Sequence, residues 1–487
     1  MELLGFEKIT INNVLQLKKY FALSNSKMCD LSVGDKYMWR NNDQIHFKIF
    51  NNTLICYEVN NGQYEFDSDK GIYFLFPLGE NVDLSLKEIN RICLENKIVA
   101  RFKDLNLEQV NYLQNFYKNY TLSDFAIQRS DYLYLIEEMR TFKGKHLSGK
   151  RSSLHKFLKL YPEAKFKIAT EHDIDKLVDF YNYEENILDF KDLSQKEEYE
   201  KSIDLIKNFK KLNLVCGYID LNNKIIGYAI GEIVNDVLID MVEKCLRNYD
   251  GVYQFLVNNF TNAFGENCTY FNREEDLGEE GLRESKKQYY PCLMVNKYFL
   301  KVCNNIALID DLPTLEIEKN LSLVSFNNKE EYLKLVFDKE LNKLFGYNYL
   351  DDYPDGDPNK IYQGFLNDKL NKKEMSYAIV FDNVIIGEII LYNFKMTNIL
   401  ELGIRIKSEY QHRQIGFKCM SYLVNYLLEY LRFNGVLGRA LLENKASYNL
   451  FNKLSFVKYL QDDKFYYFIK TEDKKLLNLL INDNKEK

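Results

Sequence analysis

The chain has 487 residues, 46% of them hydrophobic and 28% charged, with a formal net charge of −6. That length exceeds one domain of about 100–200 residues and points to three. The composition excludes a disordered chain apart from the terminal "NDNKEK", and the acidic balance removes the basic field that duplex DNA requires.

No run of 18 apolar residues occurs, and "MELLGFEKIT" has neither a basic opening nor an apolar core. Neither a transmembrane helix nor a signal peptide is expected. Nine cysteines without a CxxC pair argue against a zinc site or a disulfide framework. No metal is expected, and scattered thiols fit a reducing cytoplasm.

Along the chain, "IHFKIFNNTLICYEV" predicts a hairpin turning at Asn51 and Asn52, then "GIYFLFPLG" a buried strand. "SLKEINRICLEN" predicts an amphipathic helix, "IVARFKDL" a strand, and 107–119 a further helix before "DYLYLIEEMRTF". The basic run "RTFKGKHLSGKR" leads into a helix stopped by Pro162. A strand, two helices and a strand pair around "NN" follow, then "VLIDMVEKC", the helix "GVYQFLVNNFTNAF", "CTYFNRE" and "EGLRESKKQYY". After the linker candidate 305–319 the order repeats: "LVCGYIDLNNKIIGYAIGEI" has its counterpart in "MSYAIVFDNVIIGEIILYN". The expected class is α/β, as three consecutive units over 1–150, 151–304 and 320–475, each a mixed, mostly antiparallel sheet flanked by helices, with a flexible tail over 476–487.

The third unit resembles a GNAT-type N-acetyltransferase over about 320–470. The resemblance rests on "ELGIRIKSEYQHRQIGFKCM" and "ENKASYNLFNKLSF". The family's Q/R-x-x-G-x-G/A loop holds the pyrophosphate of acetyl-CoA on backbone amides at a helix N-terminus, where the helix dipole favours an anion. Gln411 and Gly416 take the loop's first and last places, and Gln414 stands where the middle glycine is expected. The resemblance implies cofactor contacts from Ile404, Ile406, Gln411, Arg413, Gln414, Ile415 and Gly416, with Asn444 and Ser447 from the second segment. Phe451 replaces the tyrosine that often serves as general acid, Ser455 replaces a glycine, and Tyr448 one turn earlier is the substitute acid. Glu401 and Glu388 are candidate bases for an acceptor amine, the alternative for both being an exposed strand residue.

Residues 10–300 resemble a bacterial family similar to the C-terminal domain of phosphatidylglycerol lysyltransferases, which are double GNAT-like folds that draw an aminoacyl group from charged tRNA. "GKHLSGKRSSLHKF", "VEKC" and above all "NREEDLGEEGLRESKKQYYP" carry the resemblance. Where a CoA loop would follow "LIDMVEK", only Gly251 remains, to meet an anion beside Arg247 or merely to shape a turn.

Asn272 and Arg273 are expected at a strand's carboxyl end, the ligand-binding edge of open α/β sheets. Helical spacing puts Arg283, Lys286 and Tyr290 on one face and Leu282, Ser285 and Tyr289 on the sheet side. One reading is a solvated helix with a Glu279–Arg283 pair. The other directs Arg283 and Lys286 to a phosphate or carboxylate and Glu274 or Asp276 to an amine or hydroxyl, with Arg151 closing the cleft. The function expected is acyl transfer (acetyl from acetyl-CoA, or aminoacyl) to an amine or hydroxyl, with a small molecule, a peptide amine or charged tRNA as substrate. The alternative is a non-catalytic binding protein on degenerate GNAT folds.

Overall fold

The computed structural model describes residues 3–60, 71–117, 120–123, 127–185, 193–302, 310–392, 399–431 and 433–482. Three mixed sheets flanked by helices make up the α/β architecture. The first orders as β1 (Glu7–Lys8), β2 (His46–Phe50), β3 (Thr53–Asn60), β4 (Gly71–Phe74), β6 (Arg101–Leu105), β15 (Tyr298–Val302) and β7 (Tyr120–Ser123), with β5 (Leu78–Gly79) on β3. The second runs β14 (Leu293–Val295), β8 (Asp131–Leu135), β13 (Tyr270–Asn272), β12 (Val237–Cys245), β11 (Lys224–Val234), β10 (Val215–Leu221), β9 (Lys165–Ile168). The third runs β16 (Leu315–Glu318), β17 (Leu321–Ser325), β18 (Glu374–Phe381), β19 (Val384–Tyr392), β20 (Ile399–Ile406), β21 (Gly435–Leu441), β23 (Phe465–Lys470), β22 (Val457–Gln461).

The repeat seen in the sequence has a backbone cause. Each sheet contains a hairpin that turns on two residues of positive φ: Asn51–Asn52, Asn222–Asn223 and Asp382–Asn383. Type I′ turns need that conformation at both central positions, and Asn and Asp tolerate it best after glycine. Each sheet also carries a parallel pair, β4 with β6, β12 with β13, and β20 with β21.

Two compact units result, the first holding 1–85, 101–113 and 122–301, the second 86–100, 114–121 and 302–487. The first two sheets exchange strands. β8, placed by its number in the expected first unit, lies between β14 and β13 of the second sheet, and β15 returns to the first. Residues 315–318 of the expected linker are β16, and 476–482 of the expected tail belong to the helix Lys474–Asn482, whose leucines recur at helical spacing. Residues 303–309 and 483–487 lie outside the described residues.

The second sheet is built on β11, where nine of eleven positions are buried. The helix Val252–Phe264 covers it with Phe255, Leu256 and Phe260. Gly251 starts that helix at φ 85°, and a Cβ there would stand 2.3 Å from the Ser153 carbonyl oxygen. Its role is therefore close packing of two helices, which only glycine permits. The third sheet buries Met375, Tyr377, Ile389 and Leu402 against the helix Ile415–Asn425.

Candidate functional site

Two places in the molecule have the same architecture and different chemistry. In the third sheet, β20 and β21 pair in parallel from Ile399–Gly435 to Leu402–Gly438, then part while both strands continue. The loop beyond β20 ends at Gln414, which takes φ 60° as N-cap of the helix Ile415–Asn425. His412 is also left-handed at φ 60°. The amides of Ile415, Gly416 and Phe417 have no backbone acceptor among the described residues, as expected for the first turn of a helix. The Gln411 amide donates to the Ile406 carbonyl at 2.8 Å and ties the loop back to its strand. A Cβ at Gly416 would lie 3.2 Å from Ile406 Cδ1 and 3.6 Å from Ile404 Cδ1. The structure thus brings Ile404, Ile406, Gln411, Gln414, Ile415 and Gly416 together, with the Arg413 guanidinium over the Tyr410 ring at 5.3 Å.

Asn444 and Ser447 serve the next helix, Lys445–Lys453. Asn444 caps it by accepting from the Ser447 amide at 3.0 Å and donates to the Leu344 carbonyl at 2.8 Å. Tyr448 packs on Tyr466 and Phe468 at 4.8 and 5.5 Å between ring centroids. Phe451 is buried against Gly438 and stacks on Phe468.

Register aligns two rows on the face of the third sheet opposite the helix Ile415–Asn425. Glu374, Tyr392 and Glu401 stand side by side, as do Ala378, Glu388 and Arg405. Glu401 is ion-paired with Arg439 at 2.9 Å. Glu388, expected as an exposed strand residue or a base, is fully buried; it accepts from Arg405 Nε at 2.6 Å, and Arg405 donates to Asn342 Oδ1 at 2.5 Å. Its second oxygen, Oε2, has no partner among the described residues. Glu374 was not singled out from sequence. Burial, reinforced by the charges of Asp368 and Glu388, raises its carboxyl to about 7. The only signal was an acidic residue opening the apolar strand "EMSYAIVF".

In the second sheet, β12 and β13 pair only from Val237–Tyr270 to Ile239–Asn272. Here Arg273 spans the gap, donating to Glu243 at 2.8 Å and lying 3.8 Å from Asp240, with its charge over the Tyr289 ring at 4.9 Å. Three buried atoms of this group, Arg273 Nη1, Asp240 Oδ1 and Glu243 Oε1, lack partners among the described residues.

The rest of the motif is knitted inward. Asn272 donates to Asp131 at 2.9 Å and to the Lys27 carbonyl at 2.7 Å. Asp276 accepts from Arg283 Nε at 3.0 Å and Nη2 at 2.9 Å, from the Tyr132 hydroxyl at 2.6 Å and from the Gly278 amide at 2.8 Å. These donors hold its carboxyl down at about 2 against the opposing effect of burial. Arg283 therefore pairs with Asp276, seven residues back across the loop, instead of with Glu279. Lys286 is buried with its ammonium on the Glu275 carbonyl, and burial lowers its pKa. Leu282, expected on the sheet side, is 47% exposed, because the short helix Glu280–Lys287 is anchored by Lys286 and Tyr289. Tyr290 is 53% exposed beside His146, and the Arg151 guanidinium donates to the Phe142 and Gly144 carbonyls. Glu274 differs from its neighbours. It sits at φ 55°, makes no side-chain hydrogen bond among the described residues, and has its pKa raised by burial and by the Glu275 charge.

Behind the motif lies a cage that sequence reading missed. The fully buried Lys297 ammonium is 2.5 Å from Asp30, 2.7 Å from Asp131 and 2.8 Å from Glu275, with Cys29 Sγ at 3.5 Å. Cys29, Asp30, Asp131 and Glu275 bring ligand atoms within 4.8 Å of one another, a grouping able to hold a metal ion. The lysine among them already supplies a compensating positive charge. Eight cysteines are free thiols among the described residues.

A strand pair that parts above a helix N-terminus, in mixed sheets of this topology, defines the acyltransferase class of the GNAT fold. The model of the phosphatidylglycerol lysyltransferase C-terminal region matches residues 21–301, and that of the acetyltransferase (GNAT) domain matches residues 321–457. The chain belongs to the phosphatidylglycerol lysyltransferase C-terminal family, an acyl- or aminoacyltransferase family, and carries a GNAT domain after it. The uncharacterised protein MYCGA3080 of Mycoplasmoides gallisepticum is 26% identical over 311 residues, 56% of this chain and 98% of its own length. A conserved protein of unknown function from Bacteroides thetaiotaomicron superposes with a TM-score of 0.56 at 24% identity, covering 62% of this chain and all of the other, and shows the fold. The structure of L-PGS from Bacillus licheniformis is similar over 62% of this chain and 94% of its own, at 14% identity and a TM-score of 0.42. Among the described residues no helix is long and apolar enough to cross a membrane.

Proposed function

We propose that the chain is a two-site acyltransferase working in the cytoplasm: residues 320–475 act as an N-acetyltransferase on acetyl-CoA, and residues 1–304 transfer an aminoacyl group from charged tRNA to an amine or hydroxyl. The observation that carries the first half is the parted β20–β21 pair above the unpartnered amides of Ile415, Gly416 and Phe417. Those amides, with Gln414 and the positive end of the helix, suit a pyrophosphate, and Ile404 and Ile406 suit the apolar arm behind it. When bound, acetyl-CoA supplies the activated acetyl group. Glu374 takes the proton that an acceptor ammonium must lose, and Glu401, already held by Arg439, orients the acceptor. Tyr448 offers the hydroxyl that Phe451 lacks. In the first half, Glu274 is the proton acceptor, Asp276 and Asn272 position the loop, and Arg273, Lys286, Arg283, Arg151 and Tyr290 line the approach of the donor.

Calorimetric titration of the full chain with acetyl-CoA tests the first half. One site is expected, abolished by Gly416→Asp, which puts a carboxylate into the cradle; a flat titration of the unaltered chain sinks the reading. Gln414 adds a milder check. A non-glycine residue in the left-handed region costs about 1–2 kcal/mol, so Gln414→Gly is expected to leave binding intact and to raise the thermal midpoint slightly. A second reading, a non-catalytic binding protein, is favoured by the motif's charges being spent internally, Arg273 on Glu243, Asp276 on Arg283 and Glu275 on Lys297. Glu274→Gln separates the two readings, since it should end aminoacyl transfer without lowering the melting temperature.

A further inference from the structure

The face of the third sheet that carries Glu374 has its own helical cover. Ala378, on the same side of β18 as Glu374, packs with Phe326, Tyr332 and Phe365 beneath the helices Lys329–Phe337 and Pro358–Leu370. The helix Lys339–Phe345 lies on β20, where a Cβ at Gly403 would stand 3.1 Å from the Phe345 ring and 3.2 Å from the Tyr392 ring. Two rings therefore converge on Gly403, beside the row Glu374, Tyr392, Glu401.

Around that row stands a set of polar groups without partners. Glu374 makes no ion pair and no side-chain hydrogen bond among the described residues, and the hydroxyls of Tyr347, Tyr353 and Tyr392 make no hydrogen bond among them. Burial, and after it carboxylates that include Glu374, raises the pKa of all three hydroxyls, which puts them in one neighbourhood. One row along, the fully buried Glu388 keeps Oε2 unpartnered among the described residues, and its charge adds to the burial that raises Glu374. Two of the carboxylates here have counter-charges: Asp368 pairs with Lys373 at 3.3 Å, and Glu388 with Arg405. Two do not. Glu374 is one, and the other is Asp352, exposed at the end of the helix Tyr349–Asp352, whose charge adds to burial on Tyr347 and Tyr353.

We propose that this space binds the acceptor of acetyl transfer and that the acceptor is an aliphatic diamine, with one ammonium against Glu374 and the second against Asp352. The assignment rests on the acetyl-transfer reading of this unit. An ammonium has three donors and no acceptor, which suits a set of carboxylate and hydroxyl oxygens, and tyrosine rings attract its charge. A monoamine would leave Asp352 unmatched. A peptide amino terminus brings carbonyl groups that need donors, and apart from the three hydroxyls the free groups here are acceptors. In the reaction the amine gives one proton to Glu374 and forms the C–N bond as the thioester C–S bond breaks. Its second proton goes to the departing sulfur.

Calorimetric titration of the full chain at about pH 8, where Glu374 is ionised, tests this with putrescine, n-butylamine and glycylglycine amide. Putrescine is expected to bind at least about fivefold tighter than the other two, the upper end for one exposed ion pair. Asp352→Asn should erase that preference by weakening putrescine alone, and Glu374→Gln should weaken putrescine and butylamine together. Asp352 is exposed, so the melting temperature should hold. The putrescine-to-butylamine ratio of the unaltered chain decides even if a variant folds poorly. Equal affinity for the two amines, tighter binding of the peptide amide, or binding of none overturns the proposal, as does a preference that survives Asp352→Asn. These titrations contain no acetyl-CoA. The flat acetyl-CoA titration that would sink acetyl transfer is therefore a separate result from a flat putrescine titration, which overturns the diamine site alone.

Discussion

Lys297→Met is expected to remove about 3–5 kcal/mol of folding stability, the cost of leaving buried charges without their partner. The ammonium is the shared counter-charge of Asp30, Asp131 and Glu275, all within 2.8 Å. It offsets the burial that raises Asp131, which stands at about 6 even with the lysine present. It also helps to hold Asp30 and Glu275 below the ordinary carboxylate range. The sign for those two follows from their lowered pKa values: their contribution is complete above the ordinary pKa, about 4, and fades as pH falls. Asp131 acts oppositely, binding its proton more tightly in the native state, so stability declines as pH rises from about 4 towards 6. Methionine should therefore cost most near neutral pH and less in mild acid, where the three carboxylates protonate. Urea unfolding at two pH values measures this, and an equal loss at both would mean that Lys297 acts by packing alone.

Glu374→Gln is expected to lower kcat/KM for acetyl transfer by about 10²–10⁴, the usual contribution of a positioned base. A carboxyl at about 7 must be ionised to accept a proton, so the rate of the unaltered chain should rise with pH through about 7, and the variant's profile should be flat there. Stability should move the other way. Because the native carboxyl keeps its proton between about 4.3 and 7, the unaltered chain loses on the order of 2 kcal/mol across that window, a loss the neutral amide escapes. The variant is then less active and, at pH 8, more stable. Glu401→Gln should cost less activity, since that carboxylate is already engaged by Arg439. An unchanged rate and pH profile in the Glu374 variant would remove it from the reaction.

What was legible in the sequence is local in origin. The three hairpins announced themselves because left-handed turns select Asn and Asp at two adjacent positions, and the apolar periodicity beside them identified the strands. The loop between β20 and the helix Ile415–Asn425 was located through Gln411 and Gly416, by resemblance to the GNAT loop pattern. Gln414 keeps the left-handed conformation without being glycine, so the departure from pattern did not break the loop.

The partners of charged residues were not legible. Arg283 had a helical neighbour in Glu279 but bonds Asp276, because the Gly278 turn folds the loop back over the helix start. Glu388 was a candidate base or an exposed strand residue and Glu374 was not singled out, until the sheet register set Glu388 against Arg405 and burial enclosed both.

The sequence by itself determined the fold class, the threefold recurrence of a mixed sheet and the left-handed loop that enters the helix Ile415–Asn425, since each depends on backbone conformation or spacing within about twenty residues. Only the tertiary structure decided that β8 and β15 change sheets, that Lys297 gathers carboxylates from three distant segments, and that burial raises the Glu374 carboxyl to about 7. Those outcomes depend on burial and on partners brought from far along the chain, and an electrostatic interaction is set by distance and dielectric, neither of which is written in local sequence.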